Sequence, residues 1–428
     1  MLDESLKERM DAYRVLLLWQ KDGSFIKEAG LSPFAMELAL GVCRRHLYLQ
    51  FFIKGLTKKA PSMEVATVLE LGLFQMFFME VPDHAAVSTS VELAKAANLQ
   101  EGSARLVNAV LHAARRSGLP QLPPQRVRRV SIENSVPEWL VRRWFDIYGA
   151  DRAEALAKAT LARPVEWVRV NLQKTSAPVL AQKLGFMGAS ILYDRYIQVP
   201  ADAKLKTILE SDAFAKGEFG LQNPAAYLVV KLLDLKPGLK VWDACAAPGG
   251  KSALMAEMDS SLDILASDVS ESRVVKMQDL VERLGLKNVR VECLDALALD
   301  PSTEFTLSLS KGLDDARSSK FDRILLDVPC SNMGVIARRP ESAYRITQES
   351  IKELSELQFK ILKSASARLA PDGILVYATC SPDPEETTKV INRFVKENPE
   401  FAVCGNAVYP ANEDSRFDGF FAQALRKK

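Results

Sequence analysis

Metal-type cysteine spacing is missing from this chain of 428 residues. Its six cysteines, Cys43, Cys245, Cys293, Cys330, Cys380 and Cys404, never form a Cys-x-x-Cys pair, which argues against a zinc site and against a disulfide framework. Thiols left free in this way fit a reducing cytoplasm. A long apolar run is missing too. The one candidate, Val65 to Met79, is interrupted by Glu70 and Gln75 and is shorter than the roughly 20 apolar residues a bilayer requires, so it reads as a buried core helix. The opening MLDESLKERM is acidic and charged, where a signal peptide would have a basic region and then an apolar one. Charge of one sign is scarce as well. The net charge is +2, so a nucleic-acid partner would have to be met by local basic patches and not by a general field. What is there, 48% hydrophobic and 26% charged residues, is ordinary for soluble globular protein, with length for about two to three domains.

The first 115 or so residues read as all-helical, with apolar positions at helical spacing in Tyr13 to Leu18, Phe34 to Leu49, Val65 to Met79, Val87 to Ala97 and Leu106 to Ala114. Gly23, Gly30, Pro61 and Pro82-Asp83 punctuate them, and Asp83 is expected to cap a helix that starts near His84. Between Glu101 and Glu133 no acidic residue occurs, while Arg105, Arg115, Arg116, Arg126, Arg128 and Arg129 flank the proline-containing stretch Gly118 to Gln125. That reads either as a linker with a phosphate-binding face or as a solvated hinge. Beyond it, Val136 to Gly149 is an amphipathic helix with Trp139 and Trp144, and Val165 to Leu172 alternates like a strand. From about Val229 strands and helices alternate. The expected division is therefore 1–128, 129–228 and 229–428.

The stretch Leu239 to Glu257, LKVWDACAAPGGKSALMAE, reads as a buried strand, a tight glycine turn and a helix. It matches neither the G-x-G-x-x-G dinucleotide motif nor a P-loop, whose first glycine would fall on Cys245. Further strands follow: Ile264 to Ser267 ending at Asp268, Val289 to Leu294 ending at Asp295, Arg323 to Leu326 ending at Asp327, and Ile374 to Ala378 ending near Cys380. Helical stretches such as Arg273 to Leu284 and Ile351 to Leu369 separate several of them. Parallel strands joined by helices bring all their carboxyl ends to one edge, so Asp243, Asp268, Asp295, Asp327 and Cys380 should converge there. Asp268 lies 19 residues after Gly249, close to the spacing at which an acid accepts ribose hydroxyls, which implies a nucleoside cofactor with Asp295 near its base. Taken singly, each acid could equally be a helix cap. A single free cysteine is usually a small buried hydrophobe. Two, Cys330 and Cys380, that both follow strands on the ligand edge suit a reaction that adds a thiolate to its substrate.

The run DACAAPGGK, with DVPCSNMGV and YATCS in that order, resembles the Sun family of S-adenosylmethionine-dependent RNA cytosine-5 methyltransferases. LELGLFQMFFMEVPDHAAVSTSVELAK and RLVNAVLHAARR resemble the NusB-like helical domain fused in front of the catalytic domain in members acting on 16S ribosomal RNA. The likeness spans nearly the whole chain, including VPEWLVRRW and the closing DGFF, Asp418 to Phe421. It implies a multidomain protein: an all-α NusB-like bundle, a small α/β middle module, and a Rossmann-like class I methyltransferase domain with a mostly parallel sheet. It implies S-adenosylmethionine held by main-chain groups of Cys245, Ala246, Ala247, Pro248, Gly249, Gly250 and Lys251. Asp268 would take the ribose and Asp295 the adenine, with Arg273 either a support or a surface residue. By the resemblance, Cys380 attacks C6 of the cytosine and Cys330 assists loss of the C5 proton and release of the enzyme. Asp327 would stabilise the base near N3 and also touch the methionine part of the cofactor. Cys380 has to be ionised for this, with Lys251 the candidate cation. The target base must be unstacked or flipped, and Arg338 and Arg339 are expected beside its pocket unless they form a solvated turn. The implied partner is RNA, 16S ribosomal RNA first, with no membrane, no metal and a monomeric enzyme.

The chain departs from the family pattern at Val328, usually Ala, at Asn332-Met333, usually Gly-Thr, and at Gln222-Asn223-Pro224, and a loop from about Asp300 to Lys320 looks long. Two rivals remain at this level. One is the same chemistry on transfer RNA or DNA, although DNA enzymes of this type use the Pro-Cys cysteine and an F-x-G-x-G motif that this chain lacks. The other is a non-catalytic RNA-binding or antitermination factor with a relic catalytic half, against which the intact Cys330, Cys380 and glycine turn speak.

Overall fold

The computed structural model describes residues 4–299, 320–409 and 417–428; the long loop expected from about Asp300 lies almost wholly outside the described residues. The chain packs as two compact units, Met1–Arg163 with Val335–Ile346, and Pro164–Gly334 with Thr347–Lys428.

The first unit is helical. Glu4–Asp22, Pro33–Arg44, His46–Leu56, Met63–Phe78, Asp83–Ala96 and Ser103–Ser117 bury one core that includes Leu16, Leu38, Val42, Leu69, Leu73 and Leu111. Met63–Phe78 is the buried helix expected from its composition, and its two polar interruptions are paired. Glu70 accepts from Gln50 (2.6 Å) and Gln75 from Arg9 (2.9 Å). Among the described residues no helix is long and apolar enough to cross a membrane.

Two local expectations are corrected here. The stretch Phe34 to Leu49 is two helices, broken at Arg45 (φ −119°, ψ 16°), whose guanidinium lies 4.0 Å over the Phe78 ring. Asp83 does not cap: the helix begins at Asp83 itself, and its carboxylate pairs with Arg115 at 3.2 Å. The stretch Gly118 to Gln125 is irregular, as a linker would be, but the arginines beyond it begin a helix, Arg126–Asn134, in which Val130 and Ile132 are buried. Arg126 is spent on Asp151 (3.1 Å) and Glu154, while Arg128 and Arg129 stay exposed. Arg338 and Arg339 lie in the Val335–Ile346 stretch, which packs with this first unit. That stretch is anchored by the Tyr344 hydroxyl on the Ser135 and Cys43 carbonyls (2.8 and 3.2 Å), and Arg339 lies over the Phe25 ring.

The second unit has two sheets. The small one, β1 Trp167–Val170, β2 Ile191–Leu192, β3 Tyr196–Gln198 and β4 Phe219–Leu221, is antiparallel in the order β2-β3-β1-β4. It packs Val168, Ile197 and Phe219 with Leu180. Sequence alternation predicts one wet face for β1, yet all four residues are buried, since Arg169 finds an acid inside.

The large sheet is built from β5 Lys240–Asp243, β6 Asp263–Asp268, β7 Val289–Cys293, β8 Phe321–Asp327, β9 Leu369–Thr379, β10 Phe401–Val408 and β11 Phe421–Lys427, in the order β10-β11-β9-β8-β5-β6-β7. β5 to β9 are parallel, and β11 runs antiparallel to both β9 and β10. Apolar strands are packed on both faces by separate cores, as parallel sheets require. The chain leaves β5 for β6 and β7, then returns to lay β8 on the other flank of β5. This reversal opens a crevice at the carboxyl ends of β5 and β8, the place where open α/β sheets bind ligands.

Candidate active site

The glycine turn fills that crevice. β5 ends at Asp243, which is fully buried and accepts the Ser252 hydroxyl at 2.6 Å. Burial pushes this carboxyl up to about 7, against the lowering by Ser252 and Lys251. The turn is tied down through Ala246 N–H to the Ser267 carbonyl (2.8 Å) and Gly249 N–H to the Ala246 carbonyl (2.7 Å). Gly249 has φ 93°, a left-handed conformation that side chains resist. A Cβ on Gly250 would lie 2.9 Å from Gln222 Nε2. The helix Gly250–Met258 starts at once, and no side chain caps it, so its first N–H groups face the crevice as a positive terminus. Burial and the surrounding aspartates push the Cys245 thiol far up, leaving it a neutral wall.

The next two strand ends carry the predicted acids. Asp268 and Asp295 each spend one carboxylate oxygen on a backbone N–H two residues on, of Ser270 (3.0 Å) and Leu297 (2.9 Å), and no side chain among the described residues claims the other. A close-approach glycine turn, an uncapped helix start and two acids in strand order fit a nucleoside cofactor with an attached charged chain. Arg273 is exposed on the helix Glu271–Leu284, two residues into its first turn. No cluster of three or more metal-ligating side chains occurs among the described residues.

Opposite the turn stand the two cysteines. Cys330 and Cys380 have their sulfur atoms 2.9 Å apart, and the Cys380 thiol donates to Asn332 Oδ1 at 3.1 Å. Lys251, at the start of the turn's helix, is bonded to Asp327 at the end of β8. Burial opposes the Lys251 charge, but Asp327 together with Asp243 and Cys380 raises the lysine above its ordinary range. The hydrogen bond to Cys330, burial and the charge of Asp327 push the Cys380 thiol well up, with Lys251 pulling the other way. Lys251 thus favours the Cys380 thiolate while giving its own hydrogen bond to Asp327.

Several residues that hold the site were not read from the sequence. Gly334 crosses the end of β9 so closely that a Cβ would lie 2.1 Å from the Gly419 carbonyl and 2.7 Å from that of Cys380. Its N–H bonds the Cys380 carbonyl (2.8 Å) and its own carbonyl accepts from Gly419 (2.9 Å). Glu386 is buried against Ser331 and Gln358. Arg169 donates to both oxygens of Glu257 (2.7 and 3.0 Å), to Gln222 (2.8 Å) and to the Gly250 carbonyl (2.7 Å), so the small sheet grips the glycine turn. The one sequence signal for any of these was the pair of acids, Glu385 and Glu386, just after Cys380.

Comparison with known proteins places these features. Residues 230–424 match the family described as 16S rRNA methyltransferase RsmB/F, residues 11–116 match the NusB family, and residues 136–196 match an RsmF/B-like ferredoxin-like domain. The chain is 33% identical to the "Probable ribosomal RNA small subunit methyltransferase B" of Bacillus subtilis (strain 168), covering 98% of this chain and 96% of that one. It is also 33% identical to the ribosomal RNA small subunit methyltransferase B of Shewanella oneidensis, over 86% and 84% of the two chains. Among solved structures, PH0851 shares the fold over the full length of both chains with a TM-score of 0.79 at 22% identity. A methyltransferase homologue from Pyrococcus horikoshii aligns over 72% of this chain and 100% of its own, with a TM-score of 0.59 at 26% identity. With a third of its positions identical to one relative over nearly its whole length, the chain belongs to the RsmB/F family of 16S rRNA methyltransferases.

Proposed function

We propose that this chain transfers a methyl group from S-adenosylmethionine to C5 of a cytosine in 16S ribosomal RNA through a covalent Cys380 adduct. The observation that carries the reading is the pair of sulfurs 2.9 Å apart, beside a Lys251–Asp327 pair and the glycine turn. The names of the curated relatives supply the RNA. Bound S-adenosylmethionine supplies an electrophilic methyl group. The turn Cys245 to Lys251 would hold that cofactor through its main chain, with Asp268 taking the ribose and Asp295 the adenine. Cys380 gives its proton to solvent and adds as the thiolate to C6 of an unstacked cytosine, so that the C5=C6 electron pair becomes available at C5 for methyl transfer. Asp327 faces the N3 edge of the base and steadies it as density builds there. Cys330, as its thiolate, then takes the C5 proton and later returns it to solvent. The C5=C6 bond re-forms and Cys380 leaves as a thiolate, so each sulfur performs one proton or bond exchange per turnover.

The remaining assignments belong to the same reading: an RNA-binding helical part at 1–128, a middle module at 129–228 and a catalytic part at 229–428, working as a monomer in the cytoplasm. Exposed Arg128 and Arg129 are the phosphate contacts it retains. The test is methylation of unmodified 16S ribosomal RNA by purified protein, with 5-methylcytosine mapped by sequencing. Cys380→Ala should abolish product, and Cys330→Ala should accumulate a protein–RNA adduct stable to denaturation. Reversed phenotypes would overturn the roles, and modification confined to transfer RNA would overturn the substrate.

A further inference from the structure

We infer that Glu386 is the positioning residue that holds Cys330 in place for release of the enzyme from its methylated product. The inference rests on the roles proposed above for Cys330 and Cys380. Both peptide groups of Cys330 are gripped from one side. The peptide before it presents the Pro329 carbonyl to Gln358 Nε2 at 2.9 Å. The peptide after it presents the Ser331 N–H to Glu386 Oε1 at 2.8 Å, and the Ser331 hydroxyl bonds the other carboxylate oxygen. Gln358 also donates to Glu386 at 3.0 Å, so the two gripping side chains are locked to each other.

Glu386 is fully buried, and a carboxylate in such a place is kept only if its oxygens are satisfied. Here every one of the partners just named is a donor aimed at it, which fixes the direction of each bond. The backbone of Glu386 is held in turn by the Tyr377 hydroxyl, which donates to its carbonyl at 2.7 Å and to Gln358 Oε1 at 3.1 Å. Tyr377 lies on β9, three residues before Cys380. The chain of contacts thus runs from the strand that carries one cysteine, through Tyr377 and Glu386, to the loop that carries the other. Cys380 has a separate anchor, its carbonyl being bonded by Gly334 N–H. Removing the Glu386 carboxylate therefore frees Cys330 and leaves Cys380 seated.

The consequence is a split between two steps. A misplacement of about 1 Å slows a positioned step on the order of 10²-fold, so Glu386→Ala should form the Cys380–RNA adduct at close to the native rate and release it far more slowly. Wild type, Glu386→Ala, Glu386→Gln, Cys330→Ala and Cys380→Ala are each mixed with S-adenosylmethionine and 16S ribosomal RNA, and adduct is followed over time on denaturing gels alongside product and melting temperature. Glu386→Ala should accumulate adduct as Cys330→Ala does. Glu386→Gln, which keeps an acceptor for the Ser331 N–H, should restore release. A Glu386→Ala protein that releases product at the native rate, or that makes no adduct while still melting cooperatively, overturns the inference. Should Glu386→Ala fail to fold, Gln358→Met, which frees the Pro329 carbonyl and also takes from Glu386 one of its donors and from Tyr377 one of its acceptors, must show the same accumulation or the inference falls. If Cys330→Ala itself yields no adduct, the failure lies in the assigned cysteine roles and not in Glu386.

Discussion

Replacing Arg169 with leucine tests how the glycine turn is held. Arg169 and Glu257 are 2% and 3% exposed and meet through two hydrogen bonds. Taking away one member of a buried ion pair costs about 3–5 kcal/mol, because the other charge is left uncompensated. For a unit of this size that is roughly 6–20 °C in melting temperature, taking about 2–4 °C per kcal/mol. Burial already raises the Glu257 carboxyl, and Arg169 is the main group opposing it. Without Arg169 its folded pKa climbs further above the unfolded value. An acid raised on folding loses stability as pH rises, so the deficit should be larger at pH 8 than at pH 5. The double variant Arg169→Leu/Glu257→Leu should regain most of the melting temperature, since an apolar pair replaces both charges. It should not regain cofactor affinity, because the Gly250 carbonyl has lost its donor. Calorimetric melts at the two pH values and titration with S-adenosylmethionine read these effects. A single variant melting within about 2 °C of wild type, by the same conversion, or a double variant no better than the single one, would refute the uncompensated-charge reasoning.

Asp243→Asn should flatten the fall in stability between about pH 4 and pH 7. The wild-type carboxyl near 7 against an unfolded value of about 3.9 amounts to about 4 kcal/mol over that range, while Asn still accepts from Ser252; parallel curves for the two proteins would contradict this. Gly334→Ala puts a methyl group 2.1 Å from the Gly419 carbonyl, so the cysteine loop must shift. Loss of adduct formation in a protein that still melts cooperatively is expected, and native activity would show the crossing to be unimportant. Cys330→Ala removes the hydrogen bond that most raises the Cys380 thiol. Iodoacetamide labelling of Cys380 at pH 7.5, followed by mass spectrometry, should therefore speed up, and slower labelling would reverse the assigned cause.

The large sheet was legible because its signals are local. Short apolar runs ending in Asp268, Asp295 and Asp327 each announce a strand, and the intervening helical periods make parallel pairing the economical topology. The glycine turn was legible for the same reason, as Pro248, Gly249 and Gly250 interrupt one apolar run and open another. Arg169 was not. Its strand alternates as if one side were wet, and only the distant Glu257 makes burial of a guanidinium tolerable. Glu386 and Gln358 were hidden likewise, since their partners lie 55 and 29 residues away, and the acid pair at Glu385-Glu386 alone does not say which of the two turns inward. The helix Arg126–Asn134 was not read because its arginines drew attention to phosphate binding, whereas its buried Val130 and Ile132 decide the element.

The departures from the family pattern are absorbed by the backbone they sit on. Asn332, where the family usually has Gly, keeps the left-handed conformation (φ 62°) that Gly would supply, and asparagine bears that conformation better than most side chains. Its amide then reaches both cysteines, accepting from the Cys380 thiol at 3.1 Å and donating to the Cys330 carbonyl at 3.2 Å. Val328 is buried in the core beneath β8 while its N–H bonds the Ala378 carbonyl at 3.0 Å, so its extra carbons lie away from the crevice. Asn223 bonds the N–H groups of Ala225 and Asp418, which ties the altered Gln222-Asn223-Pro224 segment to the closing DGFF. The two sulfurs consequently keep different supports, Cys380 on a strand end fixed by Gly334 and Cys330 on a loop fixed by Glu386, a difference in anchoring that suits the unlike duties proposed for them.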